Sequence, residues 1–448
     1  MSIDDLFMKT PTPVQNVMLS LYGYMRRKKR FNKYFYDKLE KLEASQYFSV
    51  ENMNNISLQK IKEIVIHSYE TVPFYKRLYD KNGIDVYKIQ NLEDFNRIPT
   101  ISKDDIKNNT DDFISSKYNK KSLLKFTTSG STGKPLALFK PTAYHPTENA
   151  IVWRQRRWAN VNYDDNLLSI AGRSFVKNNS KDKLWRYNYA DNQMLVSSYH
   201  ISKNTIENLY NAIVKFRPRY VQGYPSSIAL LSNYLIENNL KINGVKAIFT
   251  SSETLFPNQR EVIERAFGAK ILDYYGNGEN VSSAVQCEYG TYHLNNEYSY
   301  TEITKENSII GTNLYNYAMP LIRYETGDSA EISKHTCACG RNLPVIKNLN
   351  GRTGTNYVST LDGRKIANFN KIIINIKKAK EIQIHQKENY ELVINIVPRE
   401  EFNKKDREDI INNIKDYLGN DMSVVLNFTS TIPRSKSGKF IPVISEVK

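Results

Sequence analysis

Cysteine is scarce: three in 448 residues, an odd number in a long chain and no basis for a disulfide framework. No apolar run approaches the roughly 18 residues of a spanning helix, and the N-terminus has no apolar core of a secretory signal. The expectation from these absences is a cytoplasmic protein. Acidic residues are in deficit, 47 Asp and Glu against 63 Lys and Arg, for a net charge of +16. Such an excess admits nucleic acid, a membrane surface or anionic substrates. No groove-reading motif accompanies it, so no nucleic-acid partner is expected. What remains is ordinary for a globular protein, 40% hydrophobic and 25% charged, and long enough for two or more domains.

The stretch around which the chain is organised reads Thr127-Thr128-Ser129-Gly130-Ser131-Thr132-Gly133-Lys134-Pro135. Phe126 before it and Leu136, Leu138 and Phe139 after it have strand character, which places the run in a turn between two strands. Glycines admit positive φ, so several N–H groups can converge on one anion, and five hydroxyls add donors. The composition fits a phosphate cradle and, equally, a polar surface loop. It is not a Walker loop: residue 128 is Thr where the first glycine belongs, and Pro135 follows the lysine where a magnesium-binding hydroxyl belongs.

Taken in order, the chain opens with a helical pattern over 13–41, with Val14, Val17, Met18, Leu21 and Met25 at helical spacing before the basic run Arg26, Arg27, Lys28, Lys29 and Arg30. Such a helix either packs on the domain with a solvated end or lies peripherally on an anionic membrane. A second helix is expected over 57–79, with the periodicity breaking at Pro73. From Asn204 onward strands and helices alternate: helix from 206, strand 219–223, helix 226–238, strand 245–250, helix 257–267, strand 270–274. That alternation argues for parallel strands with crossover helices, whose ligands sit beyond the carboxyl ends of the strands. Two loops matter for that reason, Ser251-Ser252-Glu253 and Tyr275-Gly276-Asn277-Gly278-Glu279. Beyond a hinge near 351–354 the pattern changes: a hairpin turn at Asp362-Gly363, strands 381–385 and 390–397, a helix 405–418 and a strand 423–428. The expected class is α/β, a large N-terminal domain (1–351) with mixed and parallel sheets and crossover helices, followed by a small mobile α+β domain (352–448).

Glu279 follows an aromatic and a glycine at a strand end, where a carboxylate can hold magnesium and a ring can stack on a base. Asp328, in Arg323-Tyr324-Glu325-Thr326-Gly327-Asp328, can accept from two ribose hydroxyls. Each also reads as a helix-entry or turn residue. With Lys439 in Ser435-Lys436-Ser437-Gly438-Lys439, the ensemble resembles the adenylate-forming superfamily of acyl-CoA synthetases and adenylation domains. The motifs stand in the family's order over nearly the whole chain. Val72-Pro73-Phe74-Tyr75, Gly223-Tyr224-Pro225-Ser226 and the run from Asn316 to Tyr324 resemble the phenylacetate-CoA ligase family, particularly its capsular-polysaccharide CapK-like branch.

The resemblance implies an AMP-forming ligase that uses ATP and Mg2+ to activate a carboxylate as an acyl-adenylate, then passes the acyl group to CoA, an amine or a sugar amine. By it, Thr127, Thr128, Ser129, Gly130, Ser131, Thr132, Gly133 and Lys134 hold the phosphates. Tyr275 and Gly276 face adenine beside Ser252 and Glu253, Glu279 binds magnesium, and Asp328 and Arg352 hold the ribose. Lys439 bridges the substrate carboxylate and the α-phosphate. The chemistry suits these types, since a carboxylate attacking an anionic phosphate needs compensating positive charge. Three positions depart from the pattern: Gly278 for Thr or Ser, Glu325 for Arg, and Gly354 for Asp or Lys.

All three cysteines, Cys287, Cys337 and Cys339, with His293 make a Cys3His set for structural zinc, an arrangement the family also resembles. The alternative is unrelated thiols near a surface turn. The acid pocket implied by the resemblance runs from Trp153 to Ser174 and around Tyr224. Within it, Arg154, Arg156, Arg157 and Arg173 suit a polar acid or are surface charge. The rival class is a non-catalytic nucleotide-binding scaffold of the same fold. A catabolic aryl- or acyl-CoA ligase is a further alternative.

Overall fold

The computed structural model describes residues 7, 9–127, 136–142, 145–171, 183–197, 201, 205–351, 357–361, 365–367, 378–418, 420–435 and 439–447. Thr128, Ser129, Gly130, Ser131, Thr132, Gly133, Lys134, Arg173, Arg352, Gly354 and Asp362-Gly363 lie outside the described residues. The chain divides into two compact units: Met1–Tyr24 with Val161–Ile271 and Arg352–Lys448, and Met25–Asn160 with Leu272–Gly351.

The helix expected over 13–41 is two helices, α1 (Thr12–Arg30) and α2 (Lys33–Ser45). Asn32 divides them: its backbone is extended and its side-chain oxygen accepts from the Phe35 N–H at 3.0 Å, capping α2. The helix expected from 57 begins earlier, as α3 (Val50–Thr71), and ends before Pro73, which opens α4 (Pro73–Lys81). Proline lacks the N–H that would continue α3 and suits the first turn of α4. Strands β1 (Leu124–Thr127) and β2 (Ala137–Lys140) pair antiparallel with Thr127 opposite Ala137, so the hydroxyl-rich run joins two strands as expected. Helix α5 (His145–Trp158) follows.

The first unit holds β3 (Leu167–Ala171), β4 (Trp185–Asn188), β5 (Gln193–Ser197), α6 (Ile206–Phe216), β6 (Tyr220–Gly223), α7 (Pro225–Glu237), β7 (Ala247–Ser251) and α8 (Pro257–Phe267). Its strands lie in the order β4-β5-β3-β6-β7, with β4 antiparallel at the edge and the others parallel. The strands bury Leu168, Ile170, Val221 and Ile248 against Leu209 and Ile213 of α6, Ile228, Leu231 and Leu235 of α7, and Ile263 and Phe267 of α8. Buried apolar strands between amphipathic helices leave the two periodicities legible in sequence. Gly223 is needed where β6 passes β3, since a Cβ there would lie 2.2 Å from the Ile170 carbonyl oxygen.

The second unit carries β8 (Ile271–Gly276), β9 (Ser283–Gln286), β10 (Tyr292–Leu294), β11 (Ser299–Ile303), β12 (Ser308–Asn313), β13 (Tyr324–Ser333) and β14 (Val345–Asn350), in the order β11-β12-β13-β14-β10-β9-β8, pairing antiparallel. The sequence reading placed no strands between 283 and 350. These strands bury Ser283, Gln286, Ser299, Thr312 and Asn313, so polar residues sit on the inner faces and erase the alternation.

The C-terminal part consists of the hairpin β15 (Tyr357–Ser359) and β16 (Lys365–Ala367), then β17 (Ala379–Gln386), β18 (Leu392–Pro398), α9 (Lys404–Leu418), β19 (Val424–Phe428) and β20 (Val443–Ser445). The larger sheet runs β19-β18-β17-β20. Ile410, Ile414 and Leu418 of α9 cluster with Ile384, Ile394 and Ile396. This is the α+β arrangement expected, with β20 added beside β17.

Candidate active site

In the second unit, the end of β8, the loop after it and β13 carry the motif residues expected to hold the nucleotide sugar and metal. Tyr275 and Gly276 close β8, and Glu279 follows in the loop, buried. That loop is held by Asn277, whose side-chain oxygen accepts from the Val281 N–H at 3.0 Å, and by Asn280 with φ 57°. Gly276 lies against the Tyr274 ring, leaving no room for a Cβ, which would fall 2.6 Å from it. Asp328 lies on β13 after Gly327, whose φ is 76°. Its N–H donates to the Thr326 hydroxyl at 3.1 Å, and that hydroxyl donates to the Ile309 carbonyl at 2.8 Å.

The Tyr275 hydroxyl donates to the Asp328 carboxylate at 2.8 Å, joining two motifs 53 residues apart. Burial and the adjacent Asp328 charge hold the Tyr275 phenol well above its ordinary pKa, so it remains a donor. The Tyr324 hydroxyl, in the motif preceding Asp328, donates to Glu279 at 3.4 Å. Tyr324 was not singled out as a site residue, although it stands in the quoted motif. Glu325, where the family has Arg, is exposed and accepts from the Thr100 hydroxyl at 2.6 Å.

The first unit gathers Ser252, Glu253 and Lys439. Ser252 follows β7 in a left-handed conformation, φ 71°, which turns Glu253 toward the N-terminus of α7. Glu253 accepts from the Ser226 N–H and the Ser226 hydroxyl, both at 3.1 Å, and from the Phe440 N–H at 2.7 Å. A carboxylate is favoured at a helix N-terminus; burial nonetheless raises its pKa, against those three bonds and the Arg434 charge. The Phe440 contact fixes the residue next to Lys439. Lys439 Nζ lies 5.9 Å from the centre of the Tyr224 ring, in the Gly-Tyr-Pro-Ser motif. Its loop is closed by Ser435 N–H to Lys439 C=O at 2.9 Å and Lys439 N–H to Ser435 Oγ at 3.1 Å, with Arg434 paired to Glu381. Ser226, in the quoted Gly-Tyr-Pro-Ser motif, and Phe440, next to Lys439, are partners that the sequence does not assign, because their contact with Glu253 is made only in the fold. Of the phosphate run only Thr127 is described, exposed at the end of β1.

One arginine group needs correction. Arg154 does not line an acid pocket: it is fully buried, paired with Glu297 at 2.7 Å, and donates to the Asn295 side chain at 2.6 Å and the Leu42 carbonyl at 3.1 Å. Ser45 of α2 donates to the same Glu297 oxygen at 2.8 Å. Arg154 is therefore a brace between α5, α2 and the turn before β11. Arg156 packs over the Trp153 ring at 4.7 Å.

The Cys287, His293, Cys337 and Cys339 ligand atoms all lie within 4.8 Å of one another. Pairing of β10 with β14, His293 opposite Val345, closes the long gap between the two halves of the set. Cys287 Sγ is 3.6 Å from Cys337 Sγ, and Cys339 Sγ is 3.4 Å from His293 Nε2. Tetrahedral zinc with S and N ligands places such atoms about 3.8 and 3.5 Å apart. His293 Nδ1 lies 3.3 Å from the Leu343 carbonyl, the outer contact that leaves Nε2 for a metal. Burial pushes the Cys287 thiol up to about 12 and lowers the His293 pKa. It is the metal-competent Cys/His cluster found among the described residues.

Comparison with known proteins sets these clusters in a family. Residues 358–446 match the CapK C-terminal domain family. The chain is 27% identical to Protein CapK of Staphylococcus aureus over 459 residues, covering 99% of each. It is 23% identical to the phenylacetate-coenzyme A ligase of Thermus thermophilus over 320 residues, 68% of this chain and 71% of that one. Its fold matches the crystal structure of 2-hydroxyisobutyryl-CoA ligase in the postadenylation state with 2-HIB-AMP, at a TM-score of 0.71 and 19% identity over 89% of this chain and 91% of that chain. End-to-end similarity to CapK, the phenylacetate-CoA ligase match and the shared α/β fold agree with the ordered motifs, and together they support the ATP-dependent, AMP-forming, adenylate-forming ligases as the family this chain resembles.

Proposed function

We propose that this ligase activates a carboxylic acid as an acyl-adenylate and transfers the acyl group to a thiol or amine, in the cytoplasm and in the service of surface polysaccharide biosynthesis. The Tyr275–Asp328 hydrogen bond carries the reading, because it joins two of the family's nucleotide motifs, one at the end of β8 and one on β13. In the reaction a substrate carboxylate oxygen attacks the α-phosphorus of ATP, and the bond from that phosphorus to the pyrophosphate oxygen breaks. Asp328 is assigned to the ribose and Tyr275 to the adenine; Arg352, Ser252 and Glu253 keep the nucleotide-binding roles that the resemblance implies. Thr127 and the run through Lys134 hold the departing phosphates. Magnesium at Glu279 would supply charge to the developing pentavalent phosphorus, and Lys439 adds its own at the attacking oxygen. Gly278 contributes no hydroxyl, so the α-phosphate relies on backbone and cation here. Residues 352–448 act as the small domain that presents Lys439 for the first step and withdraws it for the second.

Carboxylate-dependent exchange of labelled pyrophosphate into ATP, measured over a panel of amino, uronic, aliphatic and aromatic acids, tests this directly. Exchange with a polar acid is expected. Binding of ATP without exchange for any acid would establish the scaffold reading, and exchange confined to phenylacetate with CoA as acceptor would establish the catabolic one. The Cys3His cluster is assigned to structural zinc, which ties the turn after β9 and β10 to the segment 337–339. Purified protein is expected to contain one zinc per chain, with its thiols protected from alkylation until the metal is stripped.

A further inference from the structure

Helix α1 is amphipathic but faces the opposite way from a helix packed on a core. Its polar residues are the inner ones. The Gln15 side-chain oxygen accepts from the Arg186 guanidinium, Asn16 Oδ1 accepts from the Tyr187 N–H at 2.9 Å, and Ser20 Oγ accepts from the Tyr189 N–H at 3.0 Å. Gly23 sits so close to Asn188 that a Cβ would lie 2.3 Å from its oxygen. These contacts dress β4, the edge strand of its sheet, whose backbone groups need partners. Of the two arrangements open from sequence, the polar face packs on the sheet edge and the apolar stripe does not.

The apolar stripe consequently faces outward. Val14, Val17, Leu21 and Met25, three or four residues apart and so on one face, are 45%, 55%, 61% and 58% exposed. The stripe runs about 17 Å along the helix at 1.5 Å per residue. Tyr22 and Tyr24 are exposed as well, and Lys28 and Lys29 continue the exposed side at its C-terminal end. The helix has no acidic residue, and its last five are all cations.

We infer that α1 is an in-plane membrane-docking helix: Val14, Val17, Leu21 and Met25 enter the boundary between headgroups and acyl chains of an anionic bilayer, with Lys28 and Lys29 on its phosphates. Three features select this partner. An apolar strip beside cations without acids matches an anionic lipid surface. A second copy of the same face would set its five cations against five more. No helix of the described residues is long and apolar enough to cross the bilayer, so the contact is peripheral.

The test is co-sedimentation of the full chain with vesicles of phosphatidylcholine alone and of phosphatidylcholine with phosphatidylglycerol, at low and high salt. Binding to the anionic vesicles is expected, falling roughly tenfold or more at high salt as headgroup contacts are screened. Val17→Ser with Leu21→Ser should weaken it about tenfold and, separately, Lys29→Gln about fivefold, while the melting temperature stays at the parent value because these side chains are exposed. Failure to bind anionic vesicles at low salt, or equal binding by parent and both variants, would overturn the inference. So would a dimer in light scattering that Leu21→Ser dissociates, since the face would then be an interface between copies.

Discussion

At the scale of single residues, Lys439 and Glu253 are coupled by one backbone contact. Lys439→Ala is expected to cut acyl-adenylate formation by about 10²-fold or more, the loss of one electrostatic contact to a transition state. ATP binding and acyl transfer from synthetic adenylate should change little; pyrophosphate release and transfer measured separately decide it, and equal losses in both would remove the assignment. Glu253→Gln should act through Lys439. It keeps the shape but removes the charge that holds the Phe440 N–H, so adenylation should drop about tenfold, the value of weakening one charge-assisted bond, with transfer unchanged. Burial raises the Glu253 pKa from the ordinary 4.5. The ionised tether therefore forms only as pH rises through that elevated value, giving adenylation an ascending limb above the usual carboxylate range. The Gln variant should lack that limb.

At the scale of elements, Arg154 joins α5 to α2 and to the turn that carries Glu297. Both charges are buried, so removing one leaves the other without compensation. Arg154→Ala is expected to destabilise the protein by about 3–5 kcal/mol, read as a shift of the urea midpoint. The ranking of acids in pyrophosphate exchange should stay the same, because the side chain faces the brace; a changed ranking at unchanged stability would restore Arg154 to the acid pocket. The β10–β14 pairing plays a comparable part for the Cys/His cluster, since without that register His293 and Cys339 would not share a vertex.

At the scale of the whole molecule, pH acts through a histidine that belongs to neither cluster. His67 is half-buried, with its Nε2 2.8 Å from the Tyr317 carbonyl and 3.2 Å from the Thr71 hydroxyl, and burial lowers its pKa from 6.5. The folded state thus binds fewer protons at this site than the unfolded chain. The stabilisation is complete above 6.5 and is lost as pH falls through the lower folded value. Denaturant midpoints should decline across that window, and His67→Gln should flatten the decline; a midpoint that rises on acidification would contradict the sign.

The alternation of strands and helices from 206 to 276 was legible because parallel strands buried on both faces and helices with one buried stripe each write their periodicity locally. Pro257 and Gly268, with φ 60°, mark the ends of α8 for the same reason. The order of strands and helix over 379–428 was legible too, while the roles proposed for Tyr275, Glu279, Asp328 and Lys439 rest on residue type and motif order, since reactive chemistry restricts residue type whatever surrounds it. The strands between 283 and 350 were not, because their inner faces carry Ser, Thr, Asn and Gln whose partners lie on other strands. Nor was the sense of α1: amphipathicity shows that two faces differ, and only the unpaired edge of β4 decided that the polar one turns inward. From sequence Arg154 suits a polar acid or is surface charge; Glu297, 143 residues away, makes it a buried brace. Periodicity and residue chemistry belong to short stretches of chain, whereas the pairing of distant surfaces depends on free energies summed over residues that meet only in the fold.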